Sequence, residues 1–387
     1  MSDPMIGART WNRRRLLTTS ATGLGALVGV RLLAACGGDD DDSTSGTTGG
    51  TTLATVAGTA ASGATTAGTT PATAEVSVGM GWINNVEYGG SWVALENGYY
   101  DAEGIKATYL QGGPNAPASP VVIAAGDAQI GVAAGMMALL DAINEGNDFV
   151  VFGTQYQVSP GAVLSLAAKP VETPEDLVGI TFLGQEGVDV TIDAVLEIAG
   201  LPKDYTFVVA GFTPDPLIEG QGDAYSCFAV NQPITLEQQG LVEGEDFIVT
   251  PWADLGIPSY ANLFFAQRAY VEENRDAVVR FMRATIMGWE ANTQDPAIGA
   301  QLAVDEYGAD LGLDLTQQTR QNELQIPLME SDLTASTGLF QIDPALFEGK
   351  MKDAYLASGR TTMPAAADVL DLSILEDVYD GKTTLLS

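Results

Sequence analysis

The chain has 387 residues and a net charge of −33, from 17 basic and 50 acidic residues, with two cysteines and no histidine. A surface this acidic repels nucleic acid and anionic headgroups. The lack of histidine removes His-based acid–base catalysis, Ser-His-Asp and Cys-His nucleophiles and the usual zinc sites, and no GxxxxGK[ST], GxGxxG or DxDxDG loop occurs.

Residues 1–36 read as a targeting segment. Arg13-Arg14-Arg15-Leu16-Leu17 supplies a twin-arginine type n-region, followed by an apolar stretch over 20–35. Leu33-Ala34-Ala35-Cys36 fits the bacterial lipoprotein pattern, which makes Cys36 the expected lipidation site. Arg31 interrupts the stretch, and it falls short of the ~20 apolar residues a membrane span needs. Residues 37–74 hold almost only Asp, Ser, Thr, Gly and Ala, too little apolar surface to offset ordering entropy, and read as a disordered tether. The expectation is an extracytoplasmic domain anchored to the cell membrane by its lipidated cysteine. Cys227 is then alone and reads as a small buried apolar residue.

From there the elements alternate. Residues 76–80 read as a strand, then a polar turn with Trp82, Asn84, Asn85, Glu87 and Tyr88, a helix over 90–96 stopped by Asn97-Gly98, and a strand over 105–110. In an α/β sheet the loop at the carboxyl end of the first strand is a ligand position. A helix to 125, a strand over 129–133, a helix over 135–144, a strand over 149–156 and an apolar run over 163–168 follow. Thr173-Pro174-Glu175-Asp176 is a helix start that marks a break. Strands over 180–183, 207–209, 224–230 and 247–250 then interleave with helices over 189–199, 216–220 and 233–239. A strand over 262–266 and a long amphipathic helix over 272–291 open a helical last third, with segments around 296–307, 316–325, 344–356 and 366–375. The alternation predicts an α/β fold with mainly parallel sheet. Ala125-Gly126-Asp127-Ala128 is echoed by Gly220-Gln221-Gly222-Asp223-Ala224, in each of which a helix closes on glycine and Asp-Ala opens a strand, as two similar lobes or mere recurrence of common turn chemistry would both produce.

The run from Trp82 through Asn85, Tyr88-Gly89-Gly90 and Glu96-Asn97-Gly98-Tyr99-Tyr100-Asp101-Ala102-Glu103-Gly104-Ile105 resembles one known family, as do Ala124-Ala125-Gly126-Asp127-Ala128, Glu175-Asp176-Leu177-Val178-Gly179 and Asn231-Gln232-Pro233-Ile234. These segments are similar to the type II periplasmic binding proteins of ABC importers, in the branch that handles thiamine pyrimidines, riboflavin, sulfonates, taurine and nitrate. The resemblance covers residues 75–381. It implies a two-lobed Venus-flytrap architecture with the ligand cleft between the lobes and closure on binding. Lobe 1 is expected over 75–168 plus 265–387 and lobe 2 over 169–264, with the hinge near 163–168 and 260–266. Also implied are ABC permease and ATPase subunits as partners, a monomeric state, no cofactor and no enzymatic activity.

The ligand class is read from side chains. Residues 75–266 contain only Lys106, Lys169 and Lys203 as basic groups, none in an expected cleft loop. Candidate ligand-binding residues at carboxyl edges are Trp82, Asn84, Asn85, Glu87, Tyr88, Tyr156, Gln185, Tyr225, Asn231 and Trp252. Rings that stack and amides that both donate and accept suit a flat, neutral heteroaromatic such as a pyrimidine, a thiamine precursor or a riboflavin-like molecule. Trp82 and Tyr88 serve equally as lobe packing, and Glu87 as a ring N–H acceptor or a solvated carboxylate. The alternatives are a sulfonate, taurine or nitrate binder that uses helix N-termini, and an exported pyrimidine-processing enzyme of the same fold. In the related eukaryotic pyrimidine-forming enzymes the position of Tyr88 carries a histidine, and a cysteine-rich run lies near Cys227; this chain has neither.

Overall fold

The computed structural model describes residues 72–114 and 116–386; the targeting segment with Cys36 and nearly all of the tether over 37–74 lie outside them. The chain begins β1 (Ala74–Gly79), α1 (Gly89–Glu96), α2 (Tyr99–Ala102), β2 (Ile105–Leu110), α3 (Ser119–Ala125), β3 (Ile130–Ala133), α4 (Met136–Asn144) and β4 (Phe149–Tyr156). It crosses into a second sheet as β5 (Gly161–Leu166), β6 (Thr181–Gly184), α5 (Asp189–Ala199), β7 (Thr206–Val209), α6 (Asp215–Ile218), β8 (Ala224–Phe228), α7 (Gln232–Gln238) and β9 (Phe247–Pro251). It returns as β10 (Ala261–Gln267) and continues through α8 (Arg268–Gln294), α9 (Pro296–Leu302), α10 (Leu315–Gln325) and shorter helical segments that end at Tyr379.

The strand orders are β2-β1-β3-β10-β4 and β7-β6-β8-β5-β9. Position for position these are one pattern. The fourth strand of each sheet is the one that arrives from the other sheet, and it runs antiparallel to both neighbours. The remaining pairs are parallel, so the expected parallel sheet is interrupted once per lobe because the chain reverses as it crosses. The echoed glycine turns fit the pattern: Gly126 (φ 80) ends α3 before β3, and Gly220 (φ 75) follows α6 before β8, and those are the third strands of the two sheets.

The border between the sheets differs from the expected one. The apolar run assigned to lobe 1 is β5, hydrogen-bonded between β8 and β9 of the second sheet, while β10 starts in the first sheet at Ala261 rather than at 265. An apolar strand covered on both faces carries no mark of which sheet it joins. The Thr173 helix start lies inside the second lobe, where Thr173 and Asp176 form a capping box. The chain passes between the sheets at residues 157–160 and 252–260, and Ser159 donates its N–H to the Ser259 carbonyl at 3.0 Å where the two passages meet.

Two packing features hold the first lobe around its binding edge. All eight residues of β4 are buried, and its outer edge is covered by hydrogen bonds from Thr154 to the Phe340 carbonyl and from Asp371 to the Val151 carbonyl, both 2.9 Å. Leu370 bridges to Val151 as a strand residue, which splits the helix expected over 366–375 into Ala366–Val369 and Ser373–Tyr379. The helices α1 and α8 meet through glycine: a Cβ at Gly90 would lie 2.3 Å from the Trp289 ring, and one at Gly288 2.1 Å from the Gly90 carbonyl oxygen. Only glycine permits that approach.

Candidate ligand-binding site

The carboxyl ends of β1, β3 and β4 and the start of β10 share one edge of the first sheet, because β10 is antiparallel to its neighbours. The carboxyl ends of β6, β8 and β9 share the matching edge of the second. Both edges lie where the crossover segments pass, and the Trp82–Phe212 and Asn231–Gln321 contacts join the lobes there.

On the first lobe the loop after β1 is fixed by side chains as well as by backbone bonds. Gly112 donates to the Trp82 carbonyl at 3.0 Å, and a Cβ there would lie 2.2 Å from the Met80 carbonyl oxygen. Asn85, extended at φ −107, caps the short turn Val86–Tyr88 by accepting from the Glu87 N–H at 3.0 Å. Its carbonyl accepts from the Trp92 indole at 2.9 Å. The N–H of Val86 donates to Gln318 Oε1, and its carbonyl accepts from Gln325 Nε2, both 2.7 Å; the Glu87 carbonyl accepts from Gln155 Nε2 at 2.9 Å. Tyr156, fully buried, donates to Gln325 Oε1 at 2.6 Å. Amides of α10 and β4 thus hold the loop as a preformed edge.

Inside that frame the polar balance is incomplete. Glu87, 4% exposed, accepts from Asn262 Nδ2 at 3.0 Å. Burial pushes its carboxyl up to about 7, and the neighbouring Asn262 and Tyr88 groups only partly offset the cost of charging it. The Tyr88 hydroxyl lies beside that carboxyl and the Trp82 backbone but completes no hydrogen bond of acceptable geometry with either. Asn262 Oδ1 and Asn84 Oδ1 are also buried without partners, although Asn84 Nδ2 donates to the Tyr307 carbonyl at 3.2 Å. Burial likewise raises the Tyr88 and Tyr156 hydroxyls well above the ordinary tyrosine range, so both stay protonated.

The second lobe offers a looser set. Gln185 Nε2 donates to the Gly211 carbonyl at 3.0 Å and to Tyr225 Oη at 3.1 Å, and its Oε1 accepts from Ser226 Oγ at 2.6 Å. Tyr225, buried, passes its own proton to the Gly211 carbonyl at 2.8 Å. Across the cleft the rings of Trp82 and Phe212 lie 5.1 Å apart at 58°, and Asn231 Nδ2 donates to Gln321 Oε1 of α10 at 2.9 Å. Trp252 is not part of this set. It is 9% exposed and packs 6.0 Å from the Phe182 ring within the second lobe's core. Cys227 is buried and its thiol is pushed up by burial, which leaves it unreactive.

The structure therefore brings Asn85, Glu87, Tyr88 and Tyr156 together inside the first lobe, gathers Gln185 and Tyr225 in the second, and joins the two lobes through Trp82 and Asn231. Asn84 is half-buried in the first lobe against the Tyr307 carbonyl. Sequence reasoning missed Phe212, Gln155 and Asn262. Phe212 follows β7 closely and obeys the same carboxyl-edge rule as Trp82, so that signal was present. Asn262 carried none, because its importance comes from where β10 returns. Among the described residues no cluster of His, Cys, Asp or Glu is arranged to hold a metal ion.

Residues 85–298, which span the loop after β1 from Asn85 onward, the whole second lobe and all of α8, match the family described as NMT1/THI5 like. The chain belongs to the NMT1/THI5-like family. It is 27% identical over 308 residues to a riboflavin-binding protein of Chloroflexus aurantiacus, covering 76% of this chain and 84% of that one. It is 26% identical over 231 residues to a formylaminopyrimidine-binding protein of Halalkalibacterium halodurans, covering 58% and 68%. Among solved structures, the alkanesulfonate-binding protein of Xanthomonas axonopodis pv. citri bound to MOPS superposes with a TM-score of 0.56 at 17% identity, over 78% of this chain and 100% of that one. That likeness establishes the two-lobed periplasmic-binding-protein fold of this NMT1/THI5-like chain. The curated relatives are named for binding, not for turnover.

Proposed function

We propose that this NMT1/THI5-like protein is the solute-binding component of an ABC importer and takes a small, neutral heteroaromatic of the pyrimidine or flavin class between its lobes. The observation that carries the reading is the cleft's chemistry. Its walls present aromatic rings, amides and one uncharged-leaning carboxyl from Trp82, Asn84, Asn85, Glu87, Tyr88, Gln185, Phe212 and Asn231. Arg320, the basic residue of α10, is paired with Glu237 at 3.6 Å. A sulfonate or nitrate would need a basic partner or a row of free N–H donors. A flat ring that enters between Trp82 and Phe212 as the lobes part, replacing their 5.1 Å contact, needs neither.

The relatives' printed specificities, riboflavin and a formylaminopyrimidine, agree in chemical class with that cleft. In this reading Tyr156 and Tyr225 support the walls, Trp252 is structural, and lobe closure about residues 157–160 and 252–260 traps the solute for permease and ATPase subunits. The protein binds and releases without turnover, as a monomer held outside the cell by lipid on Cys36. Titration followed by tryptophan fluorescence with riboflavin, formylaminopyrimidine and taurine tests the assignment. Saturable quenching by one of the two heteroaromatics supports it, and tight binding of taurine alone overturns it. Mass spectrometry of the membrane-extracted protein tests the anchor: a diacylglyceryl adduct at Cys36 is expected, and an unmodified, freely released chain contradicts it.

A further inference from the structure

Three polar side chains meet where β10 enters the first sheet. Asn262 stands in the left-handed region at φ 53, a conformation asparagine tolerates better than most residues. It is fully buried; its Nδ2 donates to Glu87 Oε1 at 3.0 Å and, more distantly, to Gln155 Oε1 at 3.4 Å, while its Oδ1 has no partner. The Tyr88 hydroxyl, in a residue 1% exposed, is unpaired as well. Leaving a buried oxygen unpaired costs about 1–3 kcal/mol. Asn84 Oδ1 in the same loop is unpaired too, but only the Tyr88 and Asn262 oxygens stand beside a buried carboxyl, which marks those two as groups kept for an incoming partner.

The groups that face Glu87 are all neutral: Tyr88 on its own turn, Gln155 and Tyr156 on β4, and Asn262 on β10. No cation is among them.

We propose that Glu87, Asn262 and Tyr88 form the specificity-determining floor of the cleft and take an N–H/C=O edge of the solute's ring. This rests on the heteroaromatic reading above and names the part of the solute that is read. A carboxylic acid donates from one oxygen and accepts at the other, so it matches an adjacent ring N–H and carbonyl with two parallel hydrogen bonds. Asn262 Oδ1 accepts a further ring N–H or amino group, and Tyr88 Oη donates to a ring nitrogen or carbonyl. An anionic head finds two neutral O–H donors and no cation here, too little to offset its desolvation. Burial raises Glu87 to about 7, so the donor is present at and below neutral pH and is lost above it.

The test measures affinity for riboflavin and for formylaminopyrimidine at about pH 6 and about pH 8.5, in the wild-type protein and in the E87Q and E87A variants. For one group titrating near pH 7 whose acid form alone binds, wild-type affinity falls roughly 30-fold over that interval. E87Q, which carries no proton to lose, binds with one affinity at both values, and E87A is weak at both. Should E87A fail to fold, the isosteric E87Q still carries the comparison. A wild-type affinity that is tight and flat with pH, or a pH response unchanged in E87Q, removes Glu87 from the floor and leaves the heteroaromatic reading standing. No binding of either solute at about pH 6 removes that reading and the floor with it.

Discussion

The two lobes share one strand order and differ in what they do with their polar groups. The loop after β1 is buried from Asn85 onward, and its carbonyls and N–H groups are held by Gln155, Gln318 and Gln325. Its counterpart after β6 opens on half-buried Gln185, and across from it Gly211 and Phe212 are exposed, bonding mainly within the same cluster. The first lobe is a template and the second a cover. Buried, fully specified hydrogen bonds fix the positions of the groups that discriminate, whereas exposed rings and amides can adjust to the solute as the lobes approach. Helix α10 joins the two roles, since Gln318 and Gln325 hold the template loop while Gln321 reaches Asn231 on the cover.

Breaking the template is expected to have the largest effect. Q325L leaves the Val86 carbonyl without its donor and the Tyr156 hydroxyl without its acceptor, at a cost of roughly 2–5 kcal/mol for two buried groups. Denaturant unfolding measures it. The matching change in the cover, Q185L, removes bonds from a half-buried site and is expected to cost about 1 kcal/mol. Equal losses in the two variants would contradict the division of roles.

The next effect is a pH dependence confined to the template. Glu87 binds a proton in the native state up to about pH 7 but in the unfolded chain only up to its ordinary 4.5. The native state therefore holds the extra proton, and stability falls as pH rises from 4.5 to about 7, then levels. The full change is about 3 kcal/mol on the scale of 1.36 kcal/mol per pH unit. E87Q abolishes it, so the wild-type stability curve minus that of E87Q slopes downward across this window. Asp141, Asp176 and Asp223, whose carboxyls are held below the usual range, act only at lower pH and cancel in the difference. A flat difference curve would show that Glu87 is not buried as described. Smallest is the link across the cleft: N231A loses one half-buried bond to Gln321 and should change stability by about 0.5 kcal/mol or less, while weakening solute affinity measurably by calorimetry.

What the sequence made legible follows the same division. The strands over 105–110 and 149–156 and the helix over 189–199 lie where expected, because apolar runs bounded by residues such as Gly104 and Gly200, both at positive φ, mark their own ends. The Trp82–Tyr88 loop was legible as the turn at the carboxyl edge of the first strand, because that placement needs only one strand and one turn. The sheet that β5 joins was not, since Ala162, Val163 and Leu164 are all buried and would suit either core. Trp252 was misjudged for the same reason: position at a strand end does not tell a ring that faces the cleft from one that packs on Phe182. Asn262 and Gln155 acquire their meaning only from a contact between segments more than a hundred residues apart in sequence, which no local pattern records.

The central claim is that the solute lies between a template and a cover, with a ring from each on its faces. Riboflavin and formylaminopyrimidine affinities of W82A and F212A, measured by calorimetry at about pH 6, test it most directly. Each substitution removes one side of the Trp82–Phe212 pair and is expected to weaken binding about tenfold or more, from a stacking contribution of about 1–3 kcal/mol per ring, with the protein still folded. Wild-type affinity retained in both variants would place the solute elsewhere and contradict the account.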